Sequence, residues 1–350
     1  MADASLLDLS FDALGKRLAD LPPYRAEQLW QAVYRDLVDA YSAVTTLPVS
    51  LRSTLALEAP FPILEPLTEN RSQDGKTSKT LFRLADAETV ESVTMEYADR
   101  KTVCVSTQVG CPIGCAFCAT GRSGYTRDLA TGEIVAQVLH AARRLREGGE
   151  RLSHVVYMGM GEPFLNYAAT LGSIRILNDP RGFSLGARSF TVSTAGVVPG
   201  IDRLADEDLQ VNLAISLHSA VDRTRARLVP LNHRYPIASV VAACRRYIER
   251  TNRRVTFEVA LIAGKNDAIE DAIGVARLLS GMLCHVNLIP CNAIEGSESR
   301  RSPHDRVTAF ADVLSGAGIP VTVRRSMGAD IDAGCGQLRS RRKAQGKQTN

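Results

Sequence analysis

Two hydrophobic periods divide this chain. Before about residue 100 the apolar positions largely follow a helical spacing. In YRAEQLWQAVYRDLVDAYSAV, Leu29, Ala32, Val33 and Leu37 fall on one face, which predicts an amphipathic helix with Arg25 turned outward. Trp30, the only tryptophan, belongs to the buried side. KTLFRLADAETVESVTMEYADRKTVCVS then reads as strands about a polar turn. Beyond residue 100 the pattern changes. TVCVSTQV, HVVYMGM, SFTVSTA, VNLAISLH, VTFEVALI, HVNLIPCN and PVTVRRS are rich in β-branched residues, and several are almost continuously apolar. Strands buried on both faces read this way. Between them lie helical segments such as TGEIVAQVLHAARRLREG, IASVVAACRRYIERT and IEDAIGVARLLSG. Repeated β/α units imply a parallel sheet with right-handed crossovers. The units fall short of eight, so the expected fold is α/β, a partial (β/α) barrel. The expected division is a helical accessory segment over 1–70, a β-hairpin linker over 71–100, the barrel over 101–338 and a basic tail over 339–350.

Composition narrows the class. The 350 residues are 45% apolar and 23% charged, a globular balance that argues against disorder. The opening MADASLLDLSFDALGKRLADL is acidic and has no continuous apolar core, unlike a signal peptide. No run approaches the ~18–20 apolar residues of a membrane span, so a cytoplasmic protein is expected. Its eight cysteines then point to metal binding or catalysis, because the cytosol keeps thiols reduced. A net charge of +4 is a weak sign of an anionic partner. The tail LRSRRKAQGKQTN, with five basic residues and no acidic one, would suit a phosphate backbone.

In a β/α barrel the functional residues gather where strands end. The first strand is followed by GCPIGCAFC, which places Cys111, Cys115 and Cys118 at spacing C-x3-C-x2-C. After the second comes GMGEPFLN, with Gly161 and Glu162. Ser193 and Thr194 lie in the third, SLHS (Ser216, Leu217, His218) ends the fourth, and Asn292 ends the sixth. MGMGEP lacks the third glycine of a dinucleotide fingerprint. Closely spaced thiolates are ligands for zinc or iron–sulfur. Structural zinc usually takes two separated pairs, and here one short loop carries all three cysteines. Three ligands on a four-iron cluster leave one iron open for a substrate. The spacing resembles that of the radical S-adenosylmethionine enzymes, with a zinc or purely structural centre as the alternative.

CVSTQVGCPIGCAFCATG, YMGMGEPFLN, VSTAGVVPGI, SLHS, NLIPCN and GADIDAGCGQL together resemble the adenine methyltransferases of the RlmN/Cfr family. The likeness runs from YRAEQLW to Cys335, nearly the whole chain. It implies a [4Fe-4S] cluster on Cys111, Cys115 and Cys118. It implies S-adenosylmethionine, two molecules per turnover, held by Gly161, Glu162, Ser193, Ser216, Leu217, His218 and Asn292. Cys335 would carry the methyl group, Cys104 would be the second catalytic thiol, and Glu91 would be the general base. Two positions depart from the family pattern: Gly334 stands where alanine is usual, and Cys291 where an aromatic residue is common. Cys244, Cys284 and Cys291 match no family role and are read as structural.

The resemblance also implies a reaction. Carbon 2 of adenine is electron-poor and cannot attack a sulfonium methyl. In the family the thiolate of Cys335 takes the methyl instead, and a deoxyadenosyl radical activates it to add to the base. Glu91 would remove the carbon-bound proton, and Cys104 would release the product by a transient disulfide with Cys335. The implied partners are 23S ribosomal RNA, at an adenosine of the peptidyl-transferase centre, and tRNA, at the adenosine beside the anticodon, with the N-terminal helical segment, the hairpin that carries Glu91 and the basic tail gripping the folded RNA. A flavodoxin- or ferredoxin-type electron donor, no membrane and a monomer complete the expectation. Three alternatives stay open: methylation at carbon 8 of the same adenosine, a radical enzyme for a small molecule, and a non-enzymatic iron–sulfur or RNA-binding module.

Overall fold

The antiparallel pattern before residue 100 and the parallel pattern after it form one sheet. A computed structural model describes residues 5–292, 294, 299–324 and 327–338; the basic tail from 339 lies outside them. Its strands are β1 (Leu64–Arg71), β2 (Thr77–Leu84), β3 (Thr89–Glu96), β4 (Lys101–Cys104), β5 (Gln108–Gly110) and β6 (Tyr125–Asp128). They continue as β7 (His154–Tyr157), β8 (Phe190–Thr194), β9 (Asn212–Ser216), β10 (Val255–Leu261), β11 (Cys284–Pro290) and β12 (Val321–Val323). The ten-stranded sheet runs β1-β2-β3-β4-β7-β8-β9-β10-β11-β12, with β5 and β6 paired apart from it. Strands β1 to β4 pair antiparallel, and every later neighbour in the sheet is parallel. Residues of β3, β4, β7 and β11 and the residue after β12 line one cavity. The sheet therefore curls round without closing, as an open partial barrel.

Helices Thr131–Glu147, Ile237–Thr251 and Ile269–Leu279 occupy the segments whose periodicity predicts them. Three local details differ from the sequence reading. The helix from Tyr24 ends at Tyr34, because Leu37 turns back with φ +61°. Arg143 and Arg146, one helix away, donate to the carbonyls of Arg35, Asp36 and Leu37 there. Strand β1 is not visible in the pattern: LEPLTENR is exposed along most of its length, a charged edge strand without alternation. The boundary expected at residue 70 falls inside it. Finally, TVCVSTQV breaks into β4 and β5. Ser106, fully buried, exchanges hydrogen bonds with the Gln137 side chain, and its hydroxyl donates to the carbonyl of Glu91 at 2.6 Å.

Candidate active site

The cysteine loop is tied at both ends. Gly110, at φ +77°, lies so close to Gly124 that a Cβ would sit 2.0 Å from its carbonyl oxygen, so only glycine lets β5 meet β6 there. The Cys111 amide donates to Gly124 O at 2.8 Å, and Ala116 N to Leu228 O at 3.0 Å. Cys111 and Cys115 pack on a small apolar cluster with Ile113, Ala195, Leu228, Val229, Ile262 and Cys291. Burial pushes the Cys111 thiol up to about 12 and the Cys115 thiol well above its ordinary value. Three thiols at this spacing, walled by apolar groups, fit an iron–sulfur centre, which they would hold as thiolates. They do not fit a lone zinc ion. Among the described residues, no three His, Cys, Asp or Glu groups gather closely enough to hold one ion.

The neighbouring strand ends form a polar rim. Gly161 has φ +104°, and a Cβ on it would lie 2.7 Å from Cβ of Gln108. Glu162 is buried, accepting from the amides of Phe164 (3.1 Å) and Ala195 (2.7 Å). Its own amide donates to Gln108 Oε1 at 2.8 Å. Burial pushes this carboxyl up to about 7 against the pull of those hydrogen bonds. Its side chain thus braces the loop against the end of β8. Ser193 and Ser216 are half-buried on adjacent parallel strands, whereas Leu217 is fully buried in the main core. His218, with φ +59°, accepts from the Ala260 amide through Nδ1 at 3.0 Å. Its ring meets Phe117 of the cysteine loop edge-on at 4.7 Å. Burial lowers its basicity to about 3, so the imidazole is neutral and carries its proton on Nε2. Asn292 donates to the carbonyl of Cys335 at 3.2 Å. Its amide nitrogen would lie 2.5 Å from a Cβ at Gly334, so glycine there leaves room for that contact.

Cys104, Cys118 and Cys335 line one cavity with about 750 Å³ of empty space, some of it open to solvent. Val93, Met95, Val156, Met158, Ile289 and Met327 make much of its wall. Cys335 is exposed to this cavity, yet the walls around it still desolvate its sulfur. Burial raises the Cys335 thiol; the Arg324 guanidinium pulls it back down. Cys104 is pushed up to about 12, first by burial and then by Cys335. The terminal loop reaches the cysteine loop through Ala119 N to Gly336 O (2.7 Å) and Thr120 Oγ1 to Leu338 O (2.5 Å). Glu91, 1% exposed, lies on β3 two residues before the cavity residue Val93, on the same face.

Residues 105–276 match the family model of the radical SAM superfamily. The probable dual-specificity RNA methyltransferase RlmN of Chloroflexus aurantiacus is 50% identical, over 91% of this chain and 88% of its own. The dual-specificity RNA methyltransferase RlmN 1 of Myxococcus xanthus is 47% identical over 96% and 94%. The chain belongs to the RlmN family. A crystal structure of a radical SAM methyltransferase from Sphaerobacter thermophilus superposes with a TM-score of 0.95, at 53% identity over 96% of this chain and 99% of that one. This RlmN-family chain is therefore a radical S-adenosylmethionine RNA methyltransferase, and that superfamily works with an iron–sulfur cluster and S-adenosylmethionine. Membership sets aside the small-molecule and non-enzymatic alternatives. Among the described residues no helix is long and apolar enough to cross a membrane.

Two side chains in this RlmN-family site escaped the sequence reading. Arg324 follows β12 and lines the cavity, so the strand-end rule that found the other residues could have found it. Lys79 gave a misleading signal. In TSKTLFRL it alternates with Phe82 and Leu84, which pattern as the inward face, and so reads as solvated. It is 3% exposed, because the terminal loop covers the opposite face of β2.

Proposed function

We propose that this methyltransferase modifies carbon 2 of adenosine, in the peptidyl-transferase centre of 23S ribosomal RNA and beside the anticodon of tRNA, with Cys335 as methyl carrier. The observation that carries the reading is the meeting on one cavity of Cys335 with Cys104 and Cys118, which lie more than 200 residues before it in the chain. A [4Fe-4S] cluster on Cys111, Cys115 and Cys118 would supply, once loaded, the electron that opens the sulfonium of bound S-adenosylmethionine. Gly161, Glu162, Ser193, Ser216, His218 and Asn292, with the backbone at Leu217, would hold that molecule along the polar rim. Two molecules are used per product, one of them to methylate Cys335 Sγ. The methyl carbon, activated as a radical, joins the base and links protein to RNA. The adduct radical would return one electron to the cluster, Glu91 takes the proton from carbon 2, and the Cys104 thiolate then attacks Cys335 Sγ; the sulfur–carbon bond breaks, its electron pair and a proton complete the methyl group, and external reductant reopens the Cys104–Cys335 disulfide. The apolar cavity wall keeps water from the reacting carbon. The target base must leave its stack to enter. A flavodoxin- or ferredoxin-type protein supplies electrons, and the enzyme acts as a monomer in the cytoplasm.

Anaerobic turnover with 23S ribosomal RNA, and separately with tRNA, followed by nucleoside mass spectrometry, tests this. We expect 2-methyladenosine from both RNAs and none with Cys335→Ala. Detection of 8-methyladenosine would overturn the regiochemistry, and undiminished product from Cys335→Ala would overturn the carrier role.

A further inference from the structure

Beside the thiols lies a buried ion pair whose cation the proposed reaction leaves without a task. Lys79 Nζ stands 3.4 Å from Glu91 Oε1, with the two side chains 3% and 2% exposed. The same ammonium donates to the carbonyl of Asp332, in the loop that carries Cys335, at 3.1 Å. We infer that Lys79 is the positioning residue that holds the Glu91 carboxylate directed along the cavity face, ready to accept the proton of the base. The inference rests on the reading of Glu91 as proton acceptor.

Strand register supplies the geometry. Lys79 pairs with Val93, and Val93 with Cys104, so the three stand in one row across β2, β3 and β4. Val93 and Cys104 line the cavity, and Glu91 lies on the same face one pair along. Its backbone is fixed: the amide points at the Met160 sulfur (3.4 Å), and the carbonyl accepts from Ser106. Its side chain has the Lys79 ammonium beside it. A carboxylate out of water is held in place by the partner that pairs with it. A buried ion pair contributes little net stability compared with apolar residues of the same size, so stability alone is a weak reason to keep one beside the methyl carrier. Strands β2, β3 and β4 also carry Arg83, Glu96, Lys101 and Cys104, and Glu162, Arg324, Asp330, Asp332 and Cys335 stand on the loops beside them. In the step itself the bond from carbon 2 to hydrogen breaks. Its proton goes to a Glu91 oxygen and its electron pair stays with the base.

The terminal loop keeps other anchors without Lys79, at Ala119, Thr120 and Asn292. Removing the ammonium should therefore spare methylation of Cys335 and stall the release of product from the adduct. Lys79→Met and Lys79→Gln serve as the variants. Lys79→Gln keeps a donor for the Asp332 carbonyl, so it preserves the fold should Lys79→Met lose it. Peptide mass spectrometry reads Cys335 methylation, and denaturing gels read the protein–RNA adduct. We expect unchanged methylation, an accumulating adduct and product release about 100-fold slower, the scale of a lost general base. Release at the unsubstituted rate overturns the inference. So does joint loss of both steps in folded Lys79→Gln, which would make Lys79 a structural support only. Glu91→Gln, run in parallel, separates the two ideas. If it turns over normally, the reading of Glu91 fails; if it stalls while the Lys79 variants do not, only Lys79's part fails.

Discussion

A thiol takes a sulfonium methyl only as its thiolate, and the surroundings of Cys335 work against that form. Burial raises the thiol, the Glu258 charge raises it further, and Arg324 opposes both. The guanidinium is held there by Glu258 and by a hydrogen bond with Tyr97. With its value above the ordinary 9.0, Cys335 is mostly protonated at neutral pH, and its reactivity climbs as pH rises toward that raised value. We predict that alkylation of Cys335 by iodoacetamide in the cluster-loaded protein rises about tenfold per pH unit from pH 7 to 9 without levelling. Arg324→Met should slow it at every pH and shift the rise upward. Peptide mass spectrometry measures both; a plateau below pH 8.5, or an Arg324→Met profile identical to the parent, would contradict the account.

Between strand and loop, the site depends on backbone positions that admit no side chain. Gly161 has a left-handed φ, and a Cβ there would meet Gln108 at 2.7–2.8 Å on both its side chain and its amide nitrogen. Gln108 cannot step aside, because its Oε1 accepts from Glu162 and its Nε2 donates to Asp128 at 2.7 Å. Gly161→Ala should therefore displace the loop that Glu162 braces. It should cost about 1–3 kcal/mol of stability and weaken S-adenosylmethionine binding. Thermal unfolding and equilibrium binding check the two effects, and unchanged affinity would show that the loop tolerates the shift. At this scale the sequence is informative wherever apolar period and function coincide. The parallel strands, their helices and the polar groups at the strand ends can all be read from it. It is silent on β1, whose charged edge residues have no period. It misleads at Lys79, because alternation identifies a buried face but not a second face covered by a loop from the far end of the chain. The meeting of Cys104 with Cys335 is legible only through family resemblance, since no local pattern encodes which distant loops a curled sheet brings together.

Across the whole molecule, the N-terminal helices and the barrel share one apolar core. Leu6, Leu7, Leu14, Leu29 and Trp30 belong to the same buried cluster as Val155, Val192 and Phe257. The link is polar as well as apolar. Asp8 Oδ1 accepts from the amide of Gly132 at 2.7 Å, satisfying a free amide in the first turn of helix Thr131–Glu147. Arg143 and Arg146 near the other end of that helix hold the chain at Arg35 to Leu37. The segment thus grips one barrel helix at both ends, and its removal would bare the helix's apolar face along Ala136 and Leu139. Exposed apolar patches of that kind drive aggregation, and each buried leucine lost from the interface forfeits about 1.5–3 kcal/mol against a net stability of about 5–15 kcal/mol. We predict that a chain beginning at residue 63 is insoluble or melts far below the full protein, and does not methylate Cys335. Sedimentation, circular dichroism on heating and peptide mass spectrometry read these outcomes. A soluble truncated protein with an undiminished melting temperature and a methylated Cys335 would instead make the segment a detachable module, leaving RNA capture as its only task.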